Sequence, residues 1–357
     1  MSKLAAMLGE TISTLPGPQR VDRVRDLLAA GADDVLAREL TARAADNNDS
    51  WRWDDAMVLR QLDDLPAGRR HALILRVADS AAAAGRSPAQ VGAVLCSLAR
   101  GLEPDDVSGP AAQHLIEAAA VRMTDVPRQL DLLATVAERE TGTVPAGLIA
   151  VMRRTVHHRH DPALLLPWIA KADGLLNVGE VWAETADGDP GARRMLAHAL
   201  RAQGARPAAT WTRESRELAR ELDAAGPWRR RIHHWFALVP RPRTIEFRGV
   251  DLFDATELLD AYNVVALRGL MFLLAVTRPA PGDPAAIGAL AEYAAVKVPG
   301  HGPRDAKVAN AAVLSLELIG TTEALDELER LRTVPLQPGL ASRVEAAAAR
   351  RRVAHGR

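Results

Sequence analysis

The stretch Ser87-Pro88-Ala89-Gln90-Val91-Gly92-Ala93-Val94-Leu95-Cys96-Ser97-Leu98-Ala99-Arg100-Gly101 decides the fold class. It opens with a hydroxyl residue and a proline. A serine side chain accepts the orphan N–H groups of a first helical turn, and proline's fixed φ suits a position that needs no N–H. Val91, Val94, Leu95 and Leu98 then fall at i, i+3, i+4 and i+7, one stripe on a 3.6-residue period. Gly101 closes the element, as glycine does where a helix leaves the right-handed region. Cys96 lies within the stripe and reads as core rather than nucleophile. As the only cysteine it excludes an internal disulfide framework and fits a reducing compartment.

The same grammar recurs on both sides. Leu267, Leu270, Met271 and Leu274 repeat the spacing, and Leu325, Leu328 and Leu331 mark a shorter stripe. Asp161-Pro162, Asp189-Pro190 and Asp283-Pro284 read as helix starts, and Gly85, Gly142, Gly204, Gly226 and Gly320 as stops. The pattern predicts helices over 18–30, 33–46, 51–64, 67–84, 88–102, 110–123, 126–141, 145–158, 162–173, 190–203, 207–224, 227–238, 255–277, 284–296, 303–319, 322–333 and 338–353. Strand signals are thin: Arg243 to Val250 reads as a loop or a short hairpin arm. So many short amphipathic helices cannot surround one core. An all-α fold is expected, an α-solenoid of HEAT- or armadillo-like antiparallel helix pairs, in which each pair needs only its neighbours. The alternative is an irregular helical globule. Two halves are expected, residues 1–190 and 191–357.

The first fourteen residues lack the long apolar stretch of a secretory signal. Val264 to Val276, the most apolar run, contains Arg268 and is shorter than the roughly 20 residues a bilayer needs. A cytoplasmic protein without membrane spans is expected.

The 357 residues carry 45 basic and 45 acidic side chains, a formal net charge of zero. The zero conceals a gradient. Arg193 to Arg248 holds 13 Arg, no Lys and five acids, +8; residues 249–357 sum to −1 and residues 1–192 to −7. A uniformly basic coat is excluded, whereas a local basic face is not. Aromatics are only 4%, which counts against enzymes that wrap a substrate in rings.

Within the basic segment, Arg213, Arg216 and Arg220 recur on one helix face. Arg229, Arg230 and Arg231 precede His233, His234 and Trp235, and Arg241, Arg243 and Arg248 follow. Such a face tracks phosphates, with an aromatic side chain to stack on. The competing reading is a solvated surface on which Glu214, Glu217 and Glu221 pair with these arginines at i, i+3 or i+4.

A second feature is Lys297-Val298-Pro299-Gly300-His301-Gly302-Pro303-Arg304, followed by Lys307. Gly300 and Gly302 between two helices can turn backbone N–H groups outward at a helix N-terminus, a phosphate cradle to which Lys297, His301, Arg304 and Lys307 add donors and charge. The plainer reading is a tight interhelical joint.

Other clusters read as structural. His157, His158, His160 and Asp161 could supply zinc ligands, but a helix C-terminus also favours histidine, and no second cluster joins them. Asp251, Asp254, Glu257 and Asp260 could hold Mg²⁺, but acids belong in a helix first turn as well. Trp51 and Trp53 read as buried, or with one exposed as a partner anchor. No metal, cofactor or catalytic residue is assigned: nucleophile elbows, P-loops, dinucleotide fingerprints and His-Glu-x-x-His are missing.

Four pieces of the C-terminal half stand in a familiar order: Ala205-Arg206-Pro207 leading to Trp211; Trp235-Phe236-Ala237-Leu238-Val239 leading to Arg241-Pro242-Arg243-Thr244; Asn263 before Leu267-Arg268-Gly269-Leu270; and Val298 to Ala311. Together they resemble the helical region of large bacterial proteins related to the molybdate metabolism regulator, which often carry a WGR module and a domain of unknown function. The resemblance spans about 200–352. It implies a helical fold; because the larger relatives continue where this sequence ends at Arg357, either a stand-alone relative or a fragment is expected. It implies no catalytic residues.

The function expected is a non-enzymatic scaffold binding a protein partner or companion domain. The alternative is a binder of nucleic-acid backbone, of the HEAT-like DNA glycosylase type, using the 193–248 segment and the Gly300–Gly302 turn. Oligomeric state is left open.

Overall fold

The structure is a computed structural model that describes residues 11–46, 49, 51, 54–158, 163–186, 188–202, 204–248 and 255–356. Among the described residues the chain is all-α, and its one sheet is a pair of two-residue strands. No helix among them is long and apolar enough to cross a membrane.

The chain forms two compact units, Met1–Ala172 with Glu246–Asp251, and Asp173–Ile245 with Leu252–Arg357. The short helix Val181–Ala186, which the periodicity did not predict, belongs to the second unit. It carries the fully buried Trp182 into the second core.

The first unit contains α1 (Gly17–Ala29), α2 (Asp33–Asp46), α3 (Asp54–Arg60), α4 (Ala67–Ala83), α5 (Gly92–Ala99), α6 (Gly109–Ala120), α7 (Pro127–Thr141), α8 (Ala146–His158) and α9 (Leu166–Ala170). Each packs chiefly on the next one or two along the chain, the local pairing that stacked helices require. Val91, Val94, Leu95 and Leu98 are fully buried, so the stripe that decided the fold class is core. The element is shorter than 88–102. Pro88–Val91 is a 3₁₀ turn, with the Ser87 N–H donating to Gln90 Oε1 at 3.0 Å, and the α-helix starts at Gly92. Fully burying one such side chain contributes about 1.5–3 kcal/mol.

The second unit contains α10 (Val181–Ala186), α11 (Pro190–Leu200), α12 (Ala209–Ala225), α13 (Trp228–Leu238), α14 (Asn263–Val276), α15 (Asp283–Ala295), α16 (Ala306–Ile319), α17 (Thr322–Arg332) and α18 (Pro338–Ala354), with β1 (Lys297–Val298) and β2 (Gly302–Pro303) between α15 and α16. Its centre is α14, buried from Leu267 to Leu274 apart from Arg268 and packed on α11, α12, α13 and α16. Gly269 permits this. A Cβ there would stand 2.1 Å from the Ala199 carbonyl oxygen, so only glycine lets α11 and α14 cross at that distance. The helix expected over 255–277 is broken. The Asp260 carboxylate accepts the Tyr262 and Asn263 N–H groups at 2.9 and 3.2 Å, capping α14 and separating it from the turn Ala255–Glu257. Asp189 caps α11 in the same way, accepting from Gly191 and Ala192. Arg243 to Arg248 is a loop, with one bridge in which the Arg248 N–H donates to the Val121 carbonyl at 3.1 Å.

Candidate functional site

The face of α12 opposite its core is built by arithmetic. At 3.6 residues per turn, Trp211, Ser215, Leu218 and Leu222 share one side, and all four are buried. Arg213, Arg216 and Arg220 lie on the far side, exposed. Glu214 and Glu221 fall on a flank between the two, and that flank meets α11. Arg201 reaches Glu214 at 2.7 Å, and Arg194 pairs with Glu221. The expected pairing along α12 therefore does not form. The antiparallel neighbour supplies the cations for these glutamates, and among the described residues Arg213, Arg216 and Arg220 have no carboxylate partner. Exposed pairs of this kind contribute only about 0–1 kcal/mol. Their consequence is where they leave positive charge.

Arg216 and Arg220 line a groove of about 510 Å³ with Arg229, Arg278 and the segment Thr277–Pro281. The Arg216 Nε donates to the Val276 carbonyl at 3.0 Å, and the Arg220 Nε to the Arg216 carbonyl at 3.3 Å. In both, the anchored Nε leaves the two terminal nitrogens open. Arg229 is engaged. It donates to the fully buried Asp283, to Thr277 Oγ1 at 2.8 Å and to the Arg278 carbonyl, and lies 4.5 Å from the Trp228 ring centroid. Burial lowers its pKa, with Asp283 opposing. His233 Nε2 meets the other Asp283 oxygen at 2.8 Å. The one acid on the groove, Asp223, accepts the Trp228 indole N–H at 2.7 Å.

The remaining arginines divide. Arg230 and Arg241 are exposed and unpaired among the described residues. Arg231 pairs with Asp189 at 2.6 Å. Arg243 has only 6% of its side chain exposed and lies 3.2 Å from Glu180. It belongs to a buried polar network that the sequence reading missed. Asn177 donates to Asp260 at 3.0 Å, Asn263 to Glu180 at 2.9 Å and Trp182 to Glu180 at 3.1 Å. Burial pushes the Glu180 carboxyl up, with Arg243 opposing. The only signal for this network lay in the quoted pieces themselves, Arg243 in one and Asn263 in another.

At the Gly300–Gly302 turn three backbone N–H groups are engaged within the joint: His301 donates to the Val298 carbonyl, Arg304 to Val296 and Asp305 to Ala294. The Asp305 carboxylate already occupies the N-terminus of α16, accepting from Val308 at 2.7 Å. Arg304 pairs with Glu257 and lies 4.5 Å from the Tyr293 ring centroid. Lys297 and Lys307 are exposed. Gly300 and Gly302 adopt positive φ, as a tight turn requires.

The other clusters are accounted for similarly. His157 and His158 are edge-to-face at 5.6 Å, while His160 and Asp161 lie outside the described residues. Asp251 and Asp254 also lie outside them, and Glu257 and Asp260 are engaged as above. No group of three metal-ligating side chains occurs among the described residues. Trp51 packs against the first core and donates to Asp49 at 3.1 Å, and Trp53 lies outside the described residues. Cys96 is buried and donates to Asp125, and burial pushes its thiol up. His198 and Ser215 are 2.7 Å apart, but Ser215 is fully buried and donates to the Trp211 carbonyl, so no substrate reaches it.

No family model, curated protein or solved structure matches the chain. The resemblance to the molybdate-regulator relatives rests on the four sequence pieces alone.

Proposed function

We propose that the chain is a non-enzymatic helical binding module that contacts nucleic-acid backbone through the arginine face of α12 and the first turn of α13. One observation carries the reading. The glutamates interleaved with Arg213, Arg216 and Arg220 either pair with α11 or, in Glu217, pair with nothing, so the arginines are uncompensated. Arg230 adds a further exposed cation without a carboxylate among the described residues. Unpaired guanidinium groups on one face suit phosphate oxygens, which they bind in a bidentate manner. The wider reading, a scaffold for a protein partner, draws support from the all-helical build but from no particular surface. The hairpin at Gly300 has no part in the proposal.

The test is fluorescence anisotropy of a labelled duplex between about 50 and 200 mM salt, where each phosphate contact adds about −0.9 to the log–log slope. Replacing Arg213 and Arg230 together by glutamate should weaken binding to all sequences alike and flatten the slope by about two. No rise in anisotropy at the lowest salt would overturn the reading.

A further inference from the structure

We propose that the groove between α12 and the Thr277–Pro281 segment is a discrete site for a terminal phosphoryl group, a phosphate monoester or pyrophosphate. It would seat the end of a nucleic-acid strand where the surrounding face tracks the backbone, and to that extent rests on the reading above.

The first argument is preorganisation. A guanidinium on a free side chain must be ordered before it binds, which costs affinity. Arg216 and Arg220 are already held by their Nε hydrogen bonds to backbone carbonyls, with the two-nitrogen edge of each unpartnered. That edge is the one that matches two oxygens of a phosphate. Arg278, on the facing segment, has no side-chain partner among the described residues. Its segment is held in place from below, because Arg229 bonds the Arg278 carbonyl and Thr277 while Asp283 accepts the Ala280 N–H at 3.0 Å.

The second argument is charge and stoichiometry. The groove lining holds four arginines and one carboxylate, Asp223. Removing Arg229, which is neutralised by Asp283, leaves three open cations. A diester presents one charge and two non-bridging oxygens. A terminal phosphoryl group presents about two charges and three oxygens, and so can engage three guanidinium edges. The third argument is shape. The groove volume of about 510 Å³ falls within the range of small-ligand sites, and Ala219, Pro279, Ala280 and Pro281 supply an apolar wall for the carbon part of such a ligand.

Two probes test this. Inorganic pyrophosphate is titrated calorimetrically into the full chain, and a single-stranded oligonucleotide is compared with and without a 5′-phosphate. Pyrophosphate should bind, and the phosphorylated strand should bind about tenfold more tightly than its 5′-hydroxyl twin. Arg278→Gln, an exposed position with no structural partner, should abolish both effects and leave the 5′-hydroxyl strand bound within about threefold. Arg213→Gln, outside the groove, should weaken both strands equally. If both strands bind alike and pyrophosphate does not bind, the site is refuted while the backbone reading stands. If pyrophosphate binds and neither strand does, the backbone reading fails and the site stands, with a free phosphate ester as its ligand. Pyrophosphate binding that survives Arg278→Gln unchanged also overturns the proposal.

Discussion

Replacing Asp49 by asparagine should make the first unit more stable at neutral pH and less stable in acid. Asp49 is 2% exposed, in the left-handed region at φ 58°. One carboxylate oxygen accepts the Ala93 N–H at the start of α5 at 2.8 Å, and the other accepts the Trp51 indole N–H at 3.1 Å. Burial pushes its pKa up to about 7, although Arg122 and Arg248 pull the other way. Among the described residues, Cys96 also lies in its surroundings, bonded in turn to Asp125. Because the folded pKa lies above the unfolded one, the folded state holds the proton more tightly. The group's contribution is whole below about pH 4, is lost as pH rises to about 7, and is flat beyond. About three pH units at about 1.4 kcal/mol each make roughly 4 kcal/mol. Asparagine removes the charge but keeps one acceptor oxygen, so one N–H donor loses its partner at a cost of about 1 kcal/mol. Asp49→Asn should therefore be about 3 kcal/mol more stable than the parent at pH 8 and about 1 kcal/mol less stable at pH 4, with the two curves crossing near pH 5. Urea unfolding read through hydrogen exchange of the Gly92–Ala99 amides isolates the first unit. Parallel curves for parent and variant between about pH 5 and 8 would refute the reasoning.

Three further outcomes are expected. Gly269→Ala should destabilise the second unit by about 3 kcal/mol, because the new methyl meets the Ala199 carbonyl rather than a movable side chain; thermal unfolding measures it. Arg243→Met should cost about 3–5 kcal/mol, since it leaves Glu180 buried beside Asp260 without its cation, whereas replacing an exposed cation such as Arg241 should cost under about 0.5 kcal/mol. Native Cys96 should resist thiol reagents at pH 8 and react at once in urea, because burial keeps it protonated and covered.

The helix class was legible because a helix is a local object. Its caps and its 3.6-residue stripe involve residues a few positions apart, and Asp189, Val91 to Leu98 and Gly320 all behave as their types dictate. The misread elements are those in which a distant residue intervenes. The helix Val181–Ala186 is held by the second core through Trp182, and the break before Asn263 comes from the Asp260 cap within a network that reaches back to Asn177. The arginine face was half legible. Spacing placed Arg213, Arg216 and Arg220 together, but it could not say which cation each neighbouring glutamate would choose.

The sequence by itself determined the all-helical build, the absence of a catalytic motif and the concentration of positive charge between residues 193 and 248. Tertiary structure alone decided which of those charges remain open. An ion pair forms with whatever lies within about 4 Å, and α11 runs antiparallel to α12 so that Arg194 and Arg201 reach Glu221 and Glu214 first. The same physics gives the His301, Arg304 and Asp305 N–H groups carbonyls of their own joint, and built the groove, where Arg278 arrives from a segment far along the chain. Periodicity reports a side chain's direction from its helix axis, and only the packed neighbour decides what it meets there.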